Sequence, residues 1–122
     1  MSAVELQIEQ HEGGLLVRPD VVRMDHKVAE SFESELMPHV EAAAAVGGRV
    51  IIDFSSVEYI SSVGLRVLNV ALRYTRKNGG QIVITGLGAT LSEIFEIARF
   101  HLLFNIYSAV DEALAAPSDA EP

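Results

Sequence analysis

A chain of 122 residues has room for one core of ordinary size, and 49% apolar with 21% charged residues describes a folded domain rather than a disordered chain. Seventeen acidic residues against nine basic ones leave a net charge of -8, which argues against nucleic acids and anionic membranes, since both are bound largely through Lys and Arg. The absence of cysteine excludes disulfides, thiolate nucleophiles and cysteine metal sites. With no basic-then-apolar leader and no apolar run near the roughly 18 residues a membrane helix needs, the sequence predicts a cytoplasmic protein.

Val4, Leu6 and Ile8 alternate with Glu5, Gln7 and Glu9, the period of a strand with one wet face. His11-Glu-Gly13-Gly14 supplies turn residues, and Leu15 to Val17 completes a hairpin before Pro19 and Asp20 break the pattern. Asp25 stands where its carboxylate can cap a helix. From His26 to about Val46, the apolar positions Val28, Ala29, Phe32, Leu36 and Val40 recur every three or four residues as one buried face. Pro38 predicts a kink or a division into two helical pieces, and Gly47-Gly48 ends the run.

Arg49 to Phe54 reads as a central strand, because Val50, Ile51 and Ile52 are consecutive and β-branched. Ser55 to Ile60 is a connection, followed by a helix from Ser62 to about Lys77 that Asn78-Gly79-Gly80 stops. Gln81 to Thr85 is the next strand, and Gly86-Leu-Gly88 turns the chain. Leu91, Ile94, Phe95 and Ala98 mark a short helix with Thr90 or Ser92 near its start. Leu102 to Tyr107 predicts an edge strand, and a last helix runs through Leu114. The expected organisation is one domain over residues 1–115 with a disordered tail over 116–122. Its fold class is α/β, in the order β-β-α-β-α-β-α-(β)-α: a mixed four- to five-stranded sheet layered with about four helices.

Chemistry concentrates where the central strand passes into the helix after it. At about 100° per residue, Ser62, Arg66, Asn69, Arg73, Arg76 and Lys77 share one wet arc, with apolar residues over the rest of the wheel. Ser61 is then the better N-cap and Ser62 the better exposed hydroxyl. A phosphate on a first-turn serine is electrostatically favoured by the free N–H groups and the helix dipole, and Arg66, four residues on, could pair with it.

Other chemistry has little support. His11, His26, His39 and His101 lack metal-ligand spacing, so no metal site is expected. Gly86-Leu-Gly88 lacks the third glycine of a dinucleotide fingerprint, and no phosphate-cradling loop occurs, so no cofactor is expected. Ser61-Ser62-Val63-Gly64 is not the nucleophile elbow of a serine hydrolase, and no His and Asp suggest themselves as base and orienter.

The stretch Asp53-Phe-Ser-Ser-Val-Glu-Tyr-Ile-Ser-Ser-Val-Gly-Leu-Arg66 resembles the signature of STAS domains, the family of bacterial anti-sigma factor antagonists. That signature usually reads Asp-Leu-Ser-x-Val-x-Phe/Tyr-Met/Ile-Asp/Ser-Ser-x-Gly-Leu. Met24-Asp25-His-Lys-Val-Ala29 is similar to the family's first-helix motif, Lys77-Asn-Gly-Gly80 to its turn after the second helix, and Leu91 to Leu114 to its closing segment. Departures are Val22 in place of a glycine, and Ala98-Arg99 in place of a late Ser/Thr-Gly.

The resemblance implies a non-enzymatic, phosphorylation-switched binding module. Counted back from Gly64, the family's phosphoacceptor falls on Ser62, with Asp25, Ser61, Arg66 and Asn69 on or beside the partner-binding face. The implied partner is an anti-sigma factor that is itself a serine kinase, bound while Ser62 is unmodified and released on its phosphorylation, with a serine phosphatase resetting the cycle. An alternative within the same fold is a non-phosphorylated interaction subunit of a transport, lipid-trafficking or sensory complex.

Overall fold

The computed structural model describes residues 4–117. Strands β1 (Glu5–His11) and β2 (Gly14–Asp20) pair antiparallel around the two-residue turn Glu12-Gly13. Both turn glycines are needed, for different reasons. Gly14 has φ +147°, and a Cβ on Gly13 would sit 2.6 Å from the carbonyl oxygen of Leu114, where the end of the chain closes on the hairpin.

β2 continues through Pro19 and Asp20, where the sequence reading ended it. Alternation from the turn places the Leu6–Pro19 pair at a non-hydrogen-bonded position. The missing N–H therefore points to the far side, where pairing with the next strand has already stopped at Val17.

Helix α1 (His26–Ala45) is one continuous helix, not two pieces. Pro38 is exposed, so the carbonyl it leaves without a helical partner lies on the wet side, while Ala29, Phe32, Leu36 and Val40 are buried on the other. Strand β4 (Arg49–Asp53) is buried at all five positions and runs parallel between β2 and β6 (Gln81–Thr85). Parallel β7 (Asn105–Tyr107) closes the sheet as the expected edge strand, giving the order β1-β2-β4-β6-β7.

Between β4 and β6 lies helix α2 (Ser62–Asn78), and between β6 and β7 lie α3 (Ala89–Ile97) and a single 3-10 turn (Phe100–Leu102). Thr90 and Ser92 fall in the first turn of α3, near its start as expected, and the N-cap is Gly88, which offers no side chain. Residues of α1, α2 and α3 cover one face of the sheet over Val17, Val50, Ile52, Ile82 and Ile84. The short α4 (Val110–Ala115) covers the other face over Leu16, Ile51 and Val83. All five phenylalanines form one chain of ring contacts, Phe32–Phe54–Phe95–Phe100–Phe104, with centroids 5.6–6.4 Å apart. This chain of contacts joins α1 and the end of β4 to the closing segment.

The sequence reading had no counterpart for a second, two-stranded sheet. β3 (Arg23–Met24) and β5 (Tyr59–Ile60) pair parallel, and β5 lies inside the stretch read as a plain connection. Strands of two residues are too short to show a period. At the C-terminus, the Ala116 carbonyl accepts a bond from the buried Arg49 guanidinium at 3.2 Å, and the rest of the expected tail, from residue 118, lies outside the described residues.

Candidate functional site

The site is built where β4 ends. Asp53, 3% exposed, accepts from Arg18 Nε at 2.8 Å on one carboxylate oxygen and from the Ser55 N–H at 3.0 Å on the other. Gly86, with φ +78°, passes so close that a Cβ there would lie 2.2 Å from Oδ1 of Asp53. A buried carboxylate with both oxygens occupied fixes the direction in which the chain leaves the sheet.

From there the chain turns at Val57, whose N–H donates to Phe54, and enters β5. Glu58 N–H donates to the Val22 carbonyl at 2.7 Å, and Ser61 N–H donates to the Met24 carbonyl at 2.9 Å. Because β3 and β5 are parallel and in register, Met24 opposite Ile60, the residues that follow them start two helices side by side. Met24 and Ile60 are buried. Side chains alternate across a strand, so Arg23 and Tyr59 face solvent, with the Arg23 guanidinium 4.3 Å from the centre of the Tyr59 ring.

Both helix starts are capped by side chains. Asp25 Oδ1 accepts from Val28 N–H at 2.9 Å at the head of α1, and Ser61 Oγ accepts from Gly64 N–H at 3.2 Å at the head of α2. The caps proposed from sequence are the caps found. Gly64 packs against β5, where a Cβ would meet Ile60 Cγ1 at 2.5 Å, so only glycine lets α2 lie this close to the second sheet.

Ser62 is the first residue of α2 and is exposed, and its hydroxyl has no hydrogen-bond partner among the described residues. Arg66, exposed, and Asn69, half-buried, follow it at one and two turns along the same face. The second sheet brings Asp25 and Ser61 together, and the helix period aligns Ser62, Arg66 and Asn69. The Arg23–Tyr59 pair beside them was missed, because nothing in the sequence marks β3 as a strand.

Ser62 thus combines an accessible hydroxyl with the positive end of a helix and a cation one turn away, an environment in which a dianionic group gains from both. No group of three His, Asp or Glu able to hold a metal ion occurs among the described residues, and none of their helices is long and apolar enough to cross a membrane.

Residues 5–113 match the model of the STAS domain. A Bordetella bronchiseptica protein named as an anti-sigma factor antagonist, BtrV, is 34% identical over 94 residues, covering 77% of this chain and 78% of its own. Among solved structures, a Thermotoga maritima protein given the same role superimposes with a TM-score of 0.79 at 15% identity, covering 89% of this chain and 91% of that one. The Bacillus protein SpoIIAA, an anti-sigma factor antagonist solved in unphosphorylated and phosphorylated forms, gives TM-scores of 0.69 and 0.61 at 15% and 16% identity. Its two forms cover 90% of this chain, and the matches span 93% and 96% of their own. The matched residues include both helix starts, the second sheet and the closing segment, and the chain belongs to the STAS domain family, among its anti-sigma factor antagonists.

Proposed function

We propose that this protein is a phosphorylation-switched antagonist in which Ser62 is the phosphoacceptor. Unmodified, it binds an anti-sigma factor that is also a serine kinase and so frees the sigma factor; modified, it lets go. The observation that carries this reading is the exposed, unengaged hydroxyl of Ser62 at the first turn of α2, beside a Ser61 already committed to capping. SpoIIAA, which shares the fold, exists in both phosphorylated and unphosphorylated forms, which makes a switch of this kind available to the architecture.

The mechanism is local. Phosphate adds about -1.5 to -2 charges at an interface without any need to refold the domain, because Ser62 supports no contact whose loss would unpack α2. Asp25 and Ser61 shape the docking face by capping the two helix starts that the second sheet sets side by side, and Arg66 and Asn69 extend it along α2. No part of this role requires the protein itself to be an enzyme.

The direct test incubates the protein and ATP with each kinase-type anti-sigma factor of its source genome, then maps phosphate by mass spectrometry. The expected result is a single site at Ser62, absent in Ser62→Ala, with complex formation lost on modification. Phosphate on another residue, or none at Ser62 with a kinase that binds, overturns the reading.

A further inference from the structure

Four of the nine basic residues lie on α2, at Arg66, Arg73, Arg76 and Lys77, all of them exposed, and α2 contains no acidic residue. Elsewhere, five basic residues stand against seventeen acidic ones. The outer face of α2 is therefore the cationic side of a strongly anionic protein. Arg76 and Lys77 complement the dipole at the C-terminal end of the helix, but Arg73, a turn earlier, adds a charge that this role does not require.

Beside the lower half of this face the fold exposes large apolar side chains. Arg76 reaches from α2 to the Leu103 carbonyl at 3.4 Å, which seats the corner between α3 and the 3-10 turn against the helix. On that corner Ile97 is 84% exposed and Leu102 58%. Between them Arg99 holds a left-handed conformation, φ 63° and ψ 23°, unique among the described non-glycine residues. Arg99 follows the C-cap Ala98 of α3, where helices commonly end in a left-handed residue, and its side chain is exposed on this corner. Glu93 and Glu96 on α3 are also exposed, one turn and one residue before Ile97, so the cations of this region are those of α2 and Arg99.

We propose that Arg73, Arg76, Lys77, Ile97, Arg99 and Leu102 form a second docking surface, at the end of α2 remote from Ser62, for an acidic amphipathic segment of a partner protein. Charge complementarity selects this occupant. An acidic stripe faces Arg73, Arg76 and Lys77, and an apolar stripe covers Ile97 and Leu102. An extended polyanion or an anionic bilayer meets the same cations but is repelled by the acidic remainder of the molecule.

The probe is a synthetic amphipathic helix with Glu on one face and Leu on the other, titrated into the 15N-labelled protein. Shift changes centred on Arg73, Arg76, Arg99 and Leu102 are expected. Affinity should fall about fivefold or more in Arg73→Glu/Arg76→Glu and separately in Ile97→Ser/Leu102→Ser, and again on raising salt toward physiological strength. All four positions are exposed, and unchanged thermal unfolding verifies that each variant folds. Ser62→Asp should bind the probe as the parent does, which separates this surface from the switch. Absence of binding below about 1 mM, shifts elsewhere, indifference to both double variants, or tighter binding to phosphatidylglycerol vesicles than to the peptide overturns the proposal.

Discussion

The backbone N–H of Ser61 donates to the carbonyl of Met24 at 2.9 Å, and this bond ties the start of α2 to the start of α1. Two positive helix ends lie together because two strands of two residues each are in parallel register. The arrangement keeps Ser61 in its cap and leaves Ser62 on the surface.

The two adjacent serines should therefore respond differently to the same change. Ser61→Ala loses the bond to Gly64 N–H and should destabilise the domain by about 1 kcal/mol, as should Asp25→Ala at the head of α1. Ser62→Ala, at an exposed position, should stay within about 0.5 kcal/mol of the parent. Urea unfolding monitored by circular dichroism measures all three, and an equal loss at both serines would contradict the division of roles.

Gly64→Ala sets two effects against each other. Alanine is favoured in a helix by about 1 kcal/mol, but its Cβ would lie 2.5 Å from Ile60 Cγ1 and 3.0 Å from Cδ1 in a packed core. Overpacking costs about 1–3 kcal/mol and should win, giving net destabilisation of about 1 kcal/mol and displaced Ile60 methyl resonances. Gly86→Ala, with positive φ and a clash against Asp53, should cost more than Gly64→Ala in the same unfolding assay.

Arg99→Gly should stabilise the protein. A left-handed conformation costs an L-residue about 1–2 kcal/mol, and glycine's extra freedom in the unfolded chain returns only about 0.5–1 of it. The net expectation is a gain of about 0.5–1 kcal/mol, seen as a raised Tm in calorimetry; a lowered Tm would show that the Arg99 side chain contributes more than its backbone costs.

Arg18 and Asp53 should behave as a unit. With a carboxylate whose side chain is 5% exposed, removing one partner from the 2.8 Å pair is expected to cost about 3 kcal/mol. The double variant Arg18→Ala/Asp53→Ala should cost clearly less than the two single effects added. Chemical denaturation of the four proteins in the cycle gives the coupling, and full additivity would remove the pair from its place beneath the Ser55 turn.

Much of this molecule was legible before any coordinates. The apolar run Val50-Ile51-Ile52 is central because a strand buried on both faces has no polar side to show water, and the structure buries every residue of β4. The division of α2 into wet and dry faces followed from helix period alone, and so did the exposure of Ser62. Asp25 and Ser61 were readable as caps because only a short polar side chain just before a helix can reach its free N–H groups, and both make that bond. Pro19 misled, since a proline ends a strand only where its missing N–H is needed.

Long-range register decided the rest. No local pattern could show that Met24 faces Ile60, that Arg18 on β2 reaches Asp53 on β4, or that Ile97 and Leu102 stay exposed around Arg99. Residue type and period determine which side chains face water along one element. Which element lies beside which is set by pairing between segments far apart in the chain, and that pairing places two helix starts side by side with a free serine on their common edge.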